Sequence, residues 1–183
     1  METRIYVSGK IQKAYRGLEI EALPEKSEME SHNNSWNANF LTIERKKCWV
    51  MTHTKTRYTV VIPDVTVRKL KNLKWWFMDQ IINQYLKEHD RIDFAKEVDP
   101  REFDNFFGEI KFYKTNNDKS CIAYLNRRIE DLEWQKYSGR GYDDIPFYRF
   151  GARINQIGSI KRMGKSVWIV PVKEMLALIK ARP

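Results

Sequence analysis

From Phe40 to Pro63 apolar and polar residues alternate in three short runs, the period-two signature of strands with at least one buried face. The runs Phe40–Glu44, Cys48–His53 and Arg57–Pro63 are separated by Arg45-Lys46-Lys47 and by Thr54-Lys55-Thr56, which predicts an antiparallel meander. In the middle run Trp49, Met51 and His53 share one face and Cys48, Val50 and Thr52 the other; in the last, Tyr58, Val60 and Ile62 oppose Thr59 and Val61. Beyond Thr66 the period becomes helical. Leu70, Leu73, Phe77, Ile81 and Tyr85 fall within one arc, widened by Met78 and Ile82, so a helix reaching about His89 is expected to cover the sheet. Trp76 projects to the opposite side near Lys69, Asn72, Gln80 and Asn83, which makes it the tryptophan of this helix with least cover.

The remaining chain divides by the same criteria. Arg4–Ser8 reads as a strand, the following Gly9–Tyr15 as a short helix or turn, and residues 24–35, with no sustained apolar period, as a loop. Asp99-Pro100 provides an N-cap and a first-turn proline for a short helix ending near Gly108. EIKFYKT then reads as a strand, and Ile122, Leu125, Ile129 and Leu132 recur at helical spacing after the turn NNDKS. YSGRGYDDIP, from Tyr137 to Pro146, is the best internal break; beyond it SIKRMGKSVWIVP predicts a hairpin with a Met-Gly turn and VKEMLALIKARP a terminal helix. These elements predict an α+β fold: an antiparallel β-meander packed against a long amphipathic helix, with additional helices and a C-terminal hairpin and helix. Residues 1–136 are expected to form the main domain. Residues 137–183 form a basic extension too short for a core of its own, and so packed on that domain.

Composition adds that the chain folds: 42% hydrophobic and 13% aromatic residues exclude a disordered polymer. Cys48 and Cys121 match no paired framework and are expected to be buried thiols in a reducing, cytoplasmic setting. No apolar run is long enough to span a bilayer, so no membrane partner is expected. The net charge of +9 is unevenly placed. Residues 37–90 hold 10 basic and 5 acidic side chains and residues 137–183 hold 9 and 3, while the other two blocks are each slightly acidic. Two concentrated basic blocks favour a phosphate-bearing partner, DNA or RNA, with simple solubility as the competing explanation.

The run SWNANFLTIERKKCWVMTHTKTRYTVVI resembles the central motif of a bacterial family of unknown function. That family pairs Ser-Trp-x-Ala-Asn with Thr-Ile-x-Arg-Arg-Lys and a Thr-Arg-Tyr strand, matched here by Ser35, Trp36, Ala38, Asn39, Thr42, Ile43, Arg45, Lys46, Lys47, Thr56, Arg57 and Tyr58. GEIKFYKT and Leu125–Arg128 are similar to its later segments, so that the resemblance covers roughly residues 4–134. It implies no activity and no catalytic residues. Fusion of some members to a domain named after a plasmid open reading frame implies a link to mobile elements. The chain departs from the pattern in its acidic loop before Ser35, in Lys46, and in the basic region after Tyr137.

Candidate chemistry is sparse. His32, His53 and His89 are scattered, no Cys-x-x-Cys or P-loop occurs, and neither a metal nor a cofactor is expected. The binding reading takes Arg45, Lys46, Lys47, Arg57, Lys69, Arg149, Arg153, Lys161, Arg162 and Lys165 as phosphate contacts, interleaved with Trp49, Tyr58, Trp76, Tyr148 and Phe150 that serve either as base-stacking platforms or as core. It describes a non-enzymatic nucleic-acid-binding protein of low sequence specificity. The catalytic alternative is a metal-independent, toxin-like ribonuclease in which His53, Arg57 and Tyr58 transfer protons and stabilise phosphorane charge; alternation equally places His53 in the core beside Trp49 and Met51. The third reading is a protein-interaction or inhibitor module, supported by the acidic loop beside a basic body. Arg127 and Asp131, four apart on a helix, are expected to pair locally.

Overall fold

The three alternating runs form β2 (Ser35–Ile43), β3 (Lys46–His53) and β4 (Thr59–Ile62), paired antiparallel with Trp36 opposite His53 and Trp49 opposite Ile62. In the computed structural model, which describes residues 2–89, 99–157, 159–163 and 165–181, this meander is one part of a larger sheet. Side chains at 88, 89, 100, 159–163, 165 and 166 lie outside the description. β1 (Glu2–Val7) pairs parallel with β2, and β5 (Glu109–Lys114) pairs parallel with β1, giving the order β4-β3-β2-β1-β5. Only β3 runs against the other four. The segment between β1 and β2 holds α1 (Gly9–Ala14), capped by the Ser8 hydroxyl, and α2 (Lys26–Ser31). The loop expected over residues 24–35 is therefore partly helical; α2 buries no side chain and so leaves no apolar period to read.

Both faces of the sheet are covered. On one, Trp36, Phe40, Trp49, Met51, Val60 and Ile62 pack against Leu73, Phe77, Ile81 and Tyr85 of α4 (Leu73–His89). Phe103 and Phe106 of α5 (Pro100–Phe106) join them, with Val172, Met175, Leu176 and Ile179 of α8 (Pro171–Lys180). On the other, Ile43, Cys48, Val50 and Val61 meet Leu125 and Leu132 of α6 (Lys119–Tyr137) and Phe147, Phe150 and Ile154 of α7 (Phe147–Gln156). The expected helix from Thr66 is divided: Thr66 caps a single turn, α3 (Val67–Leu70), and α4 starts afresh at Leu73. The helical phase slips across Lys71 and Asn72. Trp76 consequently packs against the core with the Lys69 Nζ 4.3 Å from its ring, and Trp75 is the exposed tryptophan.

Asp99 and Glu102 form the capping box that opens α5. In α6 the charged pair differs from expectation by one residue: Arg128, buried, meets Asp131 at 3.0 Å, and Arg127 stays exposed. After the glycine-rich break a 3-10 turn, Tyr142–Asp144, leads into α7, which the sequence reading did not anticipate. The hairpin follows as β6 (Ser159–Met163) and β7 (Lys165–Ile169), its turn at Gly164 lying outside the described residues. Ile169 is buried, whereas Trp168 is 66% exposed and lacks the cover its apolar neighbours obtain. Among the described residues no helix is long and apolar enough to cross a membrane.

The β2–β3 connection is a two-residue loop in which Glu44 and Arg45 have φ of 46° and 66°. Two positive φ values define the type I′ hairpin turn, whose right-handed twist matches its strands but suits Asn-Gly far better than Glu-Arg. Each L-residue held there costs about 1 kcal/mol. Replacing the pair (Glu44→Asn with Arg45→Gly) is expected to stabilise the protein by about 1 kcal/mol, a rise in Tm of roughly 2–4 °C; an unchanged or lower Tm counts against the strain.

Candidate functional site

The basic side chains of the meander do not share a surface. Lys46 and Lys47 are neighbours in β3 and so point to opposite faces. Lys46 Nζ lies 3.8 Å from the Tyr142 ring and 3.3 Å from Asp143, on the α6 side. Lys47 Nζ lies 5.3 Å from the Tyr15 ring on the α4 side. Arg45 occupies the turn and is exposed. Lys69 donates to the Pro63 carbonyl at 3.0 Å. Each of Lys46, Lys47 and Lys69 is thus held locally.

His53 and Tyr58 are buried on the α4 face. The Thr56 N–H donates to His53 Nδ1 at 3.2 Å, which leaves Nε2 to carry the proton and donate to the Asn33 carbonyl at 2.9 Å. Both ring nitrogens are therefore committed in the neutral tautomer, and Trp36 packs edge-on against the ring at 4.9 Å. Arg57 lies apart from them. Its φ of 62° turns it toward the α6 side, where it is 3% exposed and donates to Thr54 O at 2.6 Å and Ser120 Oγ at 3.1 Å, with Asp118 at 3.7 Å. The three candidate catalytic residues are not brought to one reacting centre. Cys121 and Cys48 are buried, and burial pushes each thiol up to about 11.

α7 presents the other arrangement. Phe147, Phe150 and Ile154 fix its inner face on the sheet, so Arg149 and Arg153, one turn apart, are both exposed on its outer face. Neither makes an ion pair among the described residues, in contrast to Lys46, Arg57 and Arg128. The hairpin follows directly in the chain and carries Lys161, Arg162 and Lys165, whose side chains lie outside the described residues. Of the aromatics considered for stacking, Trp49, Tyr58 and Phe150 are buried and Trp76 and Tyr148 half-buried; Tyr148 donates to Asp79 at 2.9 Å. The exposed rings are instead Trp75, Trp134, Tyr137 and Trp168.

A second feature was not foreseen. On the α6 side of the sheet, α2, the β3–β4 loop and the β5–α6 loop enclose a cleft of about 720 Å³. Its lining includes Tyr6, Ser35, Lys55, Arg57, Asn116 and Asp118. Alternation in RIYVS puts Arg4 and Tyr6 on one face, yet the parallel pairing that sets Tyr6 beside Asn37 and Tyr113 is long-range and leaves no local trace. Among the described residues no cluster of three or more His, Cys, Asp or Glu side chains is placed to hold a metal ion.

A mixed sheet covered by helices on both faces, with a cleft beside it and a basic helix face without ion pairs among the described residues, defines an α+β protein. The chain belongs to the family described as a domain of unknown function, DUF6933, which matches residues 4–174. The match runs well past residue 134, so α7 and the hairpin fall within the family's extent and not outside it, as the motifs alone had implied. No curated protein and no solved structure matches the chain.

Proposed function

We propose that this protein binds nucleic acid without catalysis and with low sequence specificity, in a bacterial cytoplasm and in association with mobile elements. The observation that supports the reading is the outer face of α7: Arg149 and Arg153 stand one turn apart, exposed and without acidic partners among the described residues. They belong to the block holding 9 basic and 3 acidic residues, so counterion release on phosphate binding has its largest source there. Two arginines at helical spacing grip a phosphate backbone by charge and bidentate hydrogen bonds, and carry no base readout of their own. The meander contributes less than its charge implies, because Lys46 is engaged by Asp143 and Tyr142 and Arg57 is buried. His53 is buried with both ring nitrogens engaged, which weighs against the ribonuclease alternative.

The test compares two double variants by fluorescence anisotropy with labelled single- and double-stranded oligonucleotides. Arg149→Ala with Arg153→Ala is expected to weaken binding to all sequences about equally, by roughly tenfold or more at low salt. Lys46→Ala with Lys47→Ala is expected to change it less than threefold. The reverse order of effects, or no measurable binding by the wild type, contradicts the proposal.

A further inference from the structure

The cleft on the α6 side is separate from the α7 face and has its own chemistry. At its floor Tyr6 is 2% exposed, and its hydroxyl, influenced by the Ser35 and Arg4 side chains, makes no hydrogen bond of normal geometry among the described residues. Two residues earlier on the same face of β1, Arg4 is also buried, pairs with Glu2 and Glu28, and leaves Nη1 without a partner. Buried polar groups in folded proteins are nearly always well paired, so the under-satisfied Tyr6 hydroxyl on the cleft lining marks a place where a polar group arrives from outside. Burial raises the Tyr6 pKa, which keeps its hydroxyl protonated and able to donate at neutral pH.

The charges of the walls define what fits. Lys26 faces Glu30 at 3.8 Å and Arg57 faces Asp118 at 3.7 Å. Lys55 donates to Asn33 Oδ1 at 2.6 Å and reaches the Ser31 carbonyl at 3.5 Å, and meets no carboxylate among the described residues. It is the one lining cation without a countercharge, and burial lowers its pKa, a penalty that an arriving anion would relieve. The first turn of the 19-residue helix α6 adds partial positive charge beside Asp118 and Ser120. Glu30 and Asp118 oppose a second negative charge. Met29 supplies an apolar wall, and about 720 Å³ suits a ligand of metabolite size.

We propose that this cleft binds a small molecule through one singly charged oxyanion head group, a carboxylate or a phosphodiester, with Lys55 as its countercharge and the Tyr6 hydroxyl as a hydrogen-bond donor. Sodium acetate and sodium dimethyl phosphate, each titrated into 15N-labelled protein at constant ionic strength, separate the two head groups. With at least one probe, saturable shifts are expected at the amides of residues 54–57 and 116–121. Lys55→Gln is expected to weaken that binding at least tenfold, and Tyr6→Phe at least threefold. Arg149→Ala with Arg153→Ala should leave it unchanged, which keeps this site distinguishable from the nucleic-acid face. Because the Tyr6 hydroxyl makes no hydrogen bond of normal geometry among the described residues, Tyr6→Phe should melt no lower than the wild type, so weaker binding by that variant is not a folding defect. Shifts that fail to saturate with both probes, or that are the same in Lys55→Gln, overturn the proposal.

Discussion

Replacing Asn155 by alanine is expected to destabilise the protein by about 2–4 kcal/mol, the sum of two backbone groups left buried and unpaired. β4 is an edge strand, paired only with β3, and its free edge must be closed by something other than a strand. The Asn155 amide closes it: Thr59 N–H donates to Asn155 Oδ1 at 2.7 Å, and Asn155 Nδ2 donates to Thr59 O at 2.9 Å. The side chain thereby imitates the peptide group of a neighbouring strand. Both residues are fully buried, so neither Thr59 group gains water when the amide is removed. Urea denaturation provides the measurement. A loss below about 1 kcal/mol would mean that water or a shift of α7 replaces the pair.

Gly151→Ala is expected to destabilise by about 1–3 kcal/mol, although alanine is the better helix former. A methyl group at Gly151 would stand 2.1 Å from Gln84 Nε2 and 2.4 Å from its Cδ, so α7 approaches α4 only because position 151 has no side chain. Gln84 is 0% exposed, and the end of its side chain has no open space to swing into. Its Nε2 already lacks a hydrogen-bond partner, which makes the amide, and not the helix backbone, the group that must yield. The double variant carrying Gln84→Ala as well should therefore recover most of the loss. Additive losses in the double variant would place the clash elsewhere.

These two contacts show where sequence reading stops. The meander, the α4 stripe and the α5 cap were legible because each is a local period or a local cap: Trp49 with Met51, Leu73 with Phe77, Asp99 with Glu102. β1 and β5 were legible as strands but not as a parallel pair flanking β2, since register between distant segments leaves no spacing in the chain. The cleft depends on that pairing, and so Tyr6 and Asp118 carried no signal. α7 was legible in principle from Phe147, Phe150 and Ile154, three and four apart, but the glycine-rich break before it and Gly151 within it hid the period. Lys46 and Lys47, expected in the turn, instead begin β3 and so diverge, and Tyr142 and Asp143, ninety-odd residues away, hold Lys46 in place.

The central claim, that unpaired arginines on α7 meet a phosphate backbone, is tested most directly by the salt dependence of binding. Dissociation constants for one single-stranded and one double-stranded oligonucleotide are measured across a range of KCl concentrations, for the wild type and for Arg149→Ala with Arg153→Ala. The prediction is a linear fall of log affinity with log salt in the wild type, with a slope reduced in magnitude by about two in the variant, roughly one unit for each phosphate contact removed. Equal slopes for the two proteins would contradict it.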